Sequence, residues 1–245
     1  MTFMPTHAPT HAMILAAGLG LRMRPITETI PKPLVSVAGR CMLDRVFDHL
    51  DEAGVPNRVI NMHWRAEKLV EHLAGKPGVT LSDESGLLLE TGGGVAKALP
   101  LLGDAPFFVC NADILWRNGP VSALRRLASA WNEGKMDALL LMTPTITSFG
   151  YAGQGDFFLD TDGLARRRSG AEVSPYVFAG VQILHPRLFH DLPEGPFSLN
   201  LLYNRAQDEG RLYGVAHDGE WYHIGTPEAL AEAETLLAKR DKTGG

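Results

Sequence analysis

The run AMILAAGLGLRMRPITETIPKPLVSVAG, residues 12–39, restricts the possible folds more than any other part of the chain. Met13 to Ala17 form an apolar strand, which Gly18 and Gly20 open into a loop. Glycines let successive backbone N–H groups approach an anion closely, so a strand ending in such a loop offers a nest for phosphate. Arg22 and Arg24 add planar forks of donors, and Lys32, set between Pro31 and Pro33, adds a compact positive charge. Two better-known phosphate loops do not fit. A dinucleotide loop needs a third glycine and a helix directly behind it, but Met23 stands at that glycine position and Pro25 blocks the helix. A P-loop needs Gly-Lys-Ser/Thr, which the stretch lacks. Strand, bare loop and fixed cations together describe a triphosphate cradle, and they disfavour an NAD-dependent oxidoreductase.

Downstream, the pattern alternates. Met42, Leu43, Val46, Phe47 and Leu50 share a helical face that Gly54 ends, and Arg58 to Met62 read as a strand. A helix follows over 64–75 with Leu69, Val70 and Leu73 inward, then a short strand over 79–84. Residues 89–103 predict a helix opened by glycines, and APFFVCNAD a buried strand with a polar tip at Asn111-Ala112-Asp113. A further helix and strand, PVSALRRLASAWNEG and DALLLM, repeat the alternation. This spacing predicts an α/β chain with a doubly wound, mostly parallel, Rossmann-like sheet. Ligands of such sheets bind outside the carboxyl ends of the strands, where the Gly18 loop and the Asn111–Asp113 tip both fall. Beyond about residue 145 the texture changes to hairpins over 150–168, a long strand at YVFAGVQILHP, a helix at 197–210 and two short strands. A last helix starts at Pro227 behind the N-cap Thr226. The expected organisation is a loose leader, 1–11, and one domain, 12–245. A nucleotide half, 12–145, leads into a smaller, β-rich half, 146–245, that binds the second substrate.

A chain of 245 residues suits one such domain. Its net charge of −5 supplies no general attraction to nucleic acid, so a polyanion must be held by a local basic site. Cys41 and Cys110 do not make a disulfide framework, and Cys110, inside FFVC, reads as a small buried hydrophobe. No stretch approaches the roughly 18 apolar residues of a membrane span, and the N-terminus lacks the features of a signal peptide, so the expected location is the cytoplasm. The sequence leaves monomer and dimer open.

The signature stretch LAAGLGLRMRPITETIPKPLVSVAG resembles that of the sugar-1-phosphate nucleotidyltransferases (NDP-sugar pyrophosphorylases). The matching residues are Leu15, Ala16, Ala17, Gly18, Gly20, Arg22, Met23, Pro25, Thr27, Pro31, Lys32, Pro33, Leu34 and Val37, and a looser likeness runs almost to the C-terminus. The resemblance implies attack of a sugar 1-phosphate on a nucleoside triphosphate, giving an NDP-sugar and pyrophosphate. Bringing two polyanions together calls for charge neutralisation, and Mg²⁺ held by one or two carboxylates suits that task. The likeness puts Ala16, Ala17, Gly18, Gly20 and Arg22 on the nucleotide and Lys32 beside the reacting phosphates. It puts Glu84, Gly92 and Gly93 near the base and ribose, and Asn111, Tyr151, Asp156, Arg168 and Gly180 on the sugar phosphate. Asp113 is the candidate metal ligand, although an aspartate at a strand tip is equally a turn residue. His223, in WYHIGTPE, departs from the pattern, because many relatives carry a second metal aspartate there. It can ligate a metal, hydrogen-bond a phosphate or metal-bound water, or pack beneath the site. The water or phosphate contact is favoured, since imidazole suits Mg²⁺ poorly. Within the family, LETGGGVAKALPLLGDAPFFVCNAD, Gly155 to Phe157 and YVFAGVQILHPRLF are nearest the branch that uridylylates N-acetylmuramate 1-phosphate. Mannose-1-phosphate guanylyltransferases and glucose-1-phosphate uridylyl- or thymidylyltransferases are the alternatives. A non-catalytic sensor of the same fold is the reading from another class.

Overall fold

The computed structural model describes residues 8–243, so residues 1–7 of the expected leader lie outside the described residues. Strand β1 (His11–Leu15) lies two residues earlier than the expected 13–17. The signature stretch then makes a 3-10 turn, Leu21–Met23, a single helical turn α1 (Ile26–Thr29) and a second 3-10 turn, Lys32–Leu34. A short ribbon, β2 (Ser36–Val37) and β3 (Arg40–Cys41), leads into α2 (Met42–Ala53), which Gly54 ends in the left-handed conformation. Then come β4 (Asn57–Met62), α3 (Ala66–Leu73), β5 (Val79–Asp83), α4 (Glu90–Leu102) and β6 (Phe107–Asn111). Of the three residues expected inward on α3, Leu69 and Leu73 are buried but Val70 is exposed. β7 (Leu115–Arg117), α5 (Ala123–Ala130) and β8 (Ala138–Pro144) complete the first half, and β9 (Ser148–Phe149) opens the second. The second half contains β10 (Phe157–Leu159), β11 (Ala165–Arg167), β12 (Tyr176–Leu184), α6 (Asn200–Asp208), β13 (Leu212–Ala216), β14 (Glu220–Tyr222) and α7 (Pro227–Thr243).

β1 lies at the centre of the large sheet, parallel to β4 on one side and β6 on the other, with β5 parallel beyond β4. The parallel run stops at β6, where the alternation alone predicts that β8 continues it. Instead β12 lies antiparallel to both β6 and β8, and β10 and β11 extend from its other end as a hairpin. β12 is buried along nearly its whole length, which suits a strand flanked on both edges and covered on both faces. The two halves of the chain therefore share one nine-stranded sheet.

Alternation along each central strand sends side chains into two separate cores. Ala12, Ile14, Phe108 and Cys110 face the layer of α2, α3 and α5, while Met13, Phe107 and Val109 face α4 and α6. Helices on both faces make the sheet doubly wound. A third cluster lies beneath the signature stretch, where Met23, Val35 and Val37 pack with Leu115, Tyr222, Ile224 and two α7 residues, Ala233 and Leu237. The C-terminal helix thus packs against the stretch that bears the cations. In a small sheet, β7–β14–β9, the middle strand β14 carries Trp221 and Tyr222 and delivers His223 just beyond its end.

Candidate active site

The loop after β1 is held from beneath. The Ala16 N–H donates to Asn61 Oδ1 at 2.7 Å, Asn61 Nδ2 donates to Glu84 Oε1 at 2.8 Å, and Glu84 Oε2 accepts from the Leu89 N–H at 3.1 Å. Asn61 is the last residue but one of β4 and Glu84 follows β5, so two neighbouring parallel strands fix the first turn of the loop. Gly20 takes φ +62°, and a Cβ there would stand 3.0 Å from Thr27 Cγ2 and 3.2 Å from Lys32 Cβ. Glycine is needed both for that backbone and for that approach. Thr27, itself buried, donates its hydroxyl to the Gly20 carbonyl at 2.7 Å, while its own carbonyl accepts from Trp64 Nε1 at 2.9 Å.

This folding brings Lys32 back to the end of β6. Its side chain is 11% exposed, and Nζ lies 2.7 Å from Asp113 Oδ2, whose carboxylate is 41% exposed. A cavity of about 510 Å³ opens above the pair. Ala16, Ala17, Gly18, Gly20, Arg22, Lys32, Asn111 and Asp113 all line it, so the structure gathers half of the expected residues around one space. Asn61, Leu88 and Gly225 line it as well, and sequence reasoning missed them; Glu90 and Thr91, which open the glycine run expected at the base and ribose, line it too. Asn61 carried a legible signal, being the polar residue near the carboxyl end of an apolar strand. Glu90 holds φ +60°, a rare backbone for a non-glycine residue and one that tends to occur at functional sites.

Glu84, Gly92 and Gly93 do not line the cavity; they are buried behind its wall. The N–H groups of Gly92 and Gly93 both donate to the Phe197 carbonyl, at 2.8 and 3.1 Å, so these donors are taken up inside the protein. A Cβ at Gly92 would come within 2.8 Å of that carbonyl, and one at Gly94 within 2.8 Å of both Asn61 Nδ2 and Glu84 Oε1. The three glycines serve a close approach of α4 to the chain around it.

Tyr151, Asp156, Arg168 and Gly180 do not line the cavity. The Tyr151 hydroxyl accepts from the Gly155 N–H at 3.0 Å, and Asp156 Oδ2 accepts from the Phe178 N–H at 3.0 Å. Arg168 donates to the carbonyls of Gly155 and Gly170 at 2.9 and 2.8 Å, bonds that shape the loop it belongs to. Gly180 sits at φ +79° in the irregular stretch of β12, and a Cβ there would meet Asn111 Nδ2 at 3.0 Å. That contact joins the two halves at the cavity floor.

His223 packs against both Trp221 and Tyr151, with ring centroids 5.8 and 6.1 Å away, and those two rings also meet at 6.3 Å. A Cβ at Gly225 would stand 2.7 Å from His223 Nε2 and 3.5 Å from Arg22 Nη1, so both side chains flank that glycine. Burial, then the charges of Lys32 and Arg22, push the imidazole below its ordinary pKa, against the pull of Asp113 and Asp156. At neutral pH it is therefore uncharged. Two cations, one partly exposed carboxylate, a bare loop and a neutral imidazole meet at the carboxyl ends of β1 and β6. Such a set positions phosphates and neutralises their charge, which is what transfer between phosphates requires.

The nucleotidyl transferase family profile matches residues 11–240. The chain is 43% identical over 240 residues to an N-acetylmuramate alpha-1-phosphate uridylyltransferase of Caulobacter vibrioides, a match spanning 96% of this chain and 99% of the relative. It is 34% identical over 230 residues to the protein of the same name in Neisseria meningitidis, spanning 92% and 97%. Among solved structures, HddC from Yersinia pseudotuberculosis superposes with a TM-score of 0.74 at 22% identity, over 93% of this chain and 99% of that one, which is a likeness of fold.

Proposed function

The chain belongs to the nucleotidyl transferase family of enzymes, and from that premise we propose that it transfers a uridylyl group from UTP to N-acetylmuramate 1-phosphate. The products are UDP-N-acetylmuramate and pyrophosphate, as in cell-wall sugar recycling. The acceptor assignment rests on the likeness of nearly the whole chain to uridylyltransferases of that name. The site assignment rests on one observation, the 2.7 Å pair of Lys32 and Asp113 at the base of the cavity under the Gly18–Gly20 loop.

In this reading the loop amides of Ala17 to Gly20 and the Arg22 guanidinium hold the triphosphate. Lys32 neutralises charge where the acceptor phosphate oxygen bonds to the α-phosphorus and the bond to the pyrophosphate oxygen breaks. Asn111, steadied against Gly180, faces the acceptor side. The donor set suits a hard divalent cation, because the Asp113 carboxylate is partly exposed and lines the same cavity as Asn111. Mg²⁺ bound there supplies Lewis-acid stabilisation of the phosphate oxygens. His223, uncharged and beside Arg22, hydrogen-bonds a phosphate or a metal-bound water. Glu84 acts through Asn61, while Tyr151, Asp156 and Arg168 shape the acceptor loop. Both substrates are phosphorylated metabolites of the cytoplasm, where the enzyme works.

The test is pyrophosphate release with UTP, GTP, dTTP and CTP, each against N-acetylmuramate, glucose and mannose 1-phosphates. UTP with N-acetylmuramate 1-phosphate is expected to lead. Preference for GTP with mannose 1-phosphate would move the enzyme to another branch, and no release with any pair would leave a binding protein.

A further inference from the structure

We propose a second cation site, for a thiophilic divalent ion such as Zn²⁺, built from Cys41, Asp44 and His72 where the first turn of α2 meets the last turn of α3. None of the three lines the large cavity, and the proposed reaction uses none of them. Their ligand atoms lie within 4.8 Å of one another. Cys41 Sγ stands 3.8 Å from His72 Nε2, and Asp44 Oδ1 lies 2.9 Å from the same nitrogen. The backbone fixes two of them together, because Cys41 caps α2 and its sulfur accepts the Asp44 N–H at 3.4 Å. All three are half-buried, so an ion can reach them from solvent.

The chemistry selects the ion. One sulfur, one imidazole nitrogen and one carboxylate oxygen form a borderline-soft set that favours Zn²⁺ over Mg²⁺ or Ca²⁺. Bonds of about 2.3 Å to sulfur and about 2.0–2.2 Å to nitrogen and oxygen require ligand edges of roughly 3.3–3.7 Å in a tetrahedron. The sulfur–nitrogen edge already has nearly that length, and Asp44 and His72 need part by only about half an ångström. Three protein ligands leave a fourth position for water.

One group competes for the carboxylate. Lys76 Nζ donates to Asp44 Oδ1 at 2.8 Å, on a side chain 32% exposed. The same ammonium lies 5.0 Å from the centre of the Phe47 ring, so it keeps a cation–π partner when Asp44 turns to the ion. Burial raises the Cys41 thiol to about 11, so the empty site holds a protonated sulfur. Loading therefore forms the sulfur–metal bond and releases one proton to solvent. The loaded site ties α2 to α3, and α2 is the helix that directly follows the Lys32 stretch.

Co²⁺ titrated into the metal-free protein tests the assignment. The expected result is one equivalent bound, with a thiolate-to-cobalt charge-transfer band and the intense visible bands of tetrahedral cobalt. Cobalt on oxygen ligands near Asp113 gives no such band, so Asp113→Asn should leave it unchanged. Cys41→Ser should abolish the band and Cys110→Ser keep it. His72→Ala should weaken binding at least tenfold, and Lys76→Ala, which removes the competing charge, should tighten it. Absence of the band in the wild-type protein at millimolar cobalt overturns the proposal, as does a band that survives in Cys41→Ser. Circular dichroism on each variant separates loss of the site from loss of the fold.

Discussion

Lys32 illustrates how much a single charge carries at this site. Its ammonium is nearly enclosed and has Asp113 as its partner; on the proposed assignment, removing it leaves the phosphates without their innermost cation. Lys32→Ala and Arg22→Ala should each lower turnover by at least about 10²-fold, the cost of removing one stabiliser of developing charge, with circular dichroism unchanged. Near-normal pyrophosphate release in both variants would refute the phosphate-cradle assignment. Lys32→Arg should rescue only in part, because a planar fork does not replace a compact ammonium. Asp113→Asn removes one negative charge and nearly preserves shape; activity should collapse, and excess Mg²⁺ should recover little of it. An unchanged metal dependence would make Asp113 a partner of Lys32 alone. Behind the wall, Glu84→Ala strips Asn61 Nδ2 and the Leu89 N–H of their acceptor. A stability loss of about 1–3 kcal/mol is expected from the two unpaired groups, with KM for UTP rising as the Ala16 turn loosens. Stability loss with KM unchanged would limit Glu84 to packing.

Elements meet here through close approaches that particular residues permit. α4 presses its glycines against Phe197 and against the Asn61–Glu84 pair, so Gly92→Ala forces backbone and ring apart. A destabilisation of about 1–3 kcal/mol is expected, visible as a melting temperature several degrees lower. A variant as stable as wild type would show that Phe197 can yield. β7 is held differently, by two neutral histidines. His49 Nε2 bonds the Trp116 carbonyl at 3.2 Å and stacks on the Trp116 ring at 4.0 Å, while His217 Nε2 bonds the Arg117 carbonyl at 3.1 Å. Burial pushes both imidazoles below their ordinary pKa. The unfolded chain therefore takes up protons first as pH falls below about 6.5, and stability present above that pH is lost on the way down to the folded values. Melting scans between pH 7.5 and about pH 5.5 should show this decline, and a His49→Gln/His217→Gln variant should show less of it. Equal declines would assign acid sensitivity to other groups.

At the scale of the whole molecule, the cavity over the shared sheet is lined by residues of the first half and by Gly225 of the second, so a ligand there stabilises both halves together. UTP with Mg²⁺ at about 100 times its Kd should add about 2.7 kcal/mol, or roughly 5–10 °C in melting temperature, in a single transition. Two separate transitions would mean that 12–145 and 146–245 unfold independently. Much of this architecture was legible along the chain, because it depends on local rules. The 3.6- and 2-residue periodicities place the principal strands and helices, though not α1, β2, β3, β7 or β9; glycine and proline punctuate the loop after β1, and the strand-end rule points to Gly18 and Asp113. The pairing of distant strands was not legible. β12, the partner of both β6 and β8, lies more than thirty residues beyond the second of them, and no local pattern encodes which edge a strand will take. The same limit applies within the site. The Gly92–Gly94 run reads alike whether its amides face a ligand or the Phe197 carbonyl, and only the approach of a segment a hundred residues away decides between them. Sequence by itself determined the chemistry available, a glycine-rich loop with its cations and a carboxylate. Tertiary structure decided which of those groups share one space, because long-range packing, not local propensity, sets the distance between Lys32 and Asp113.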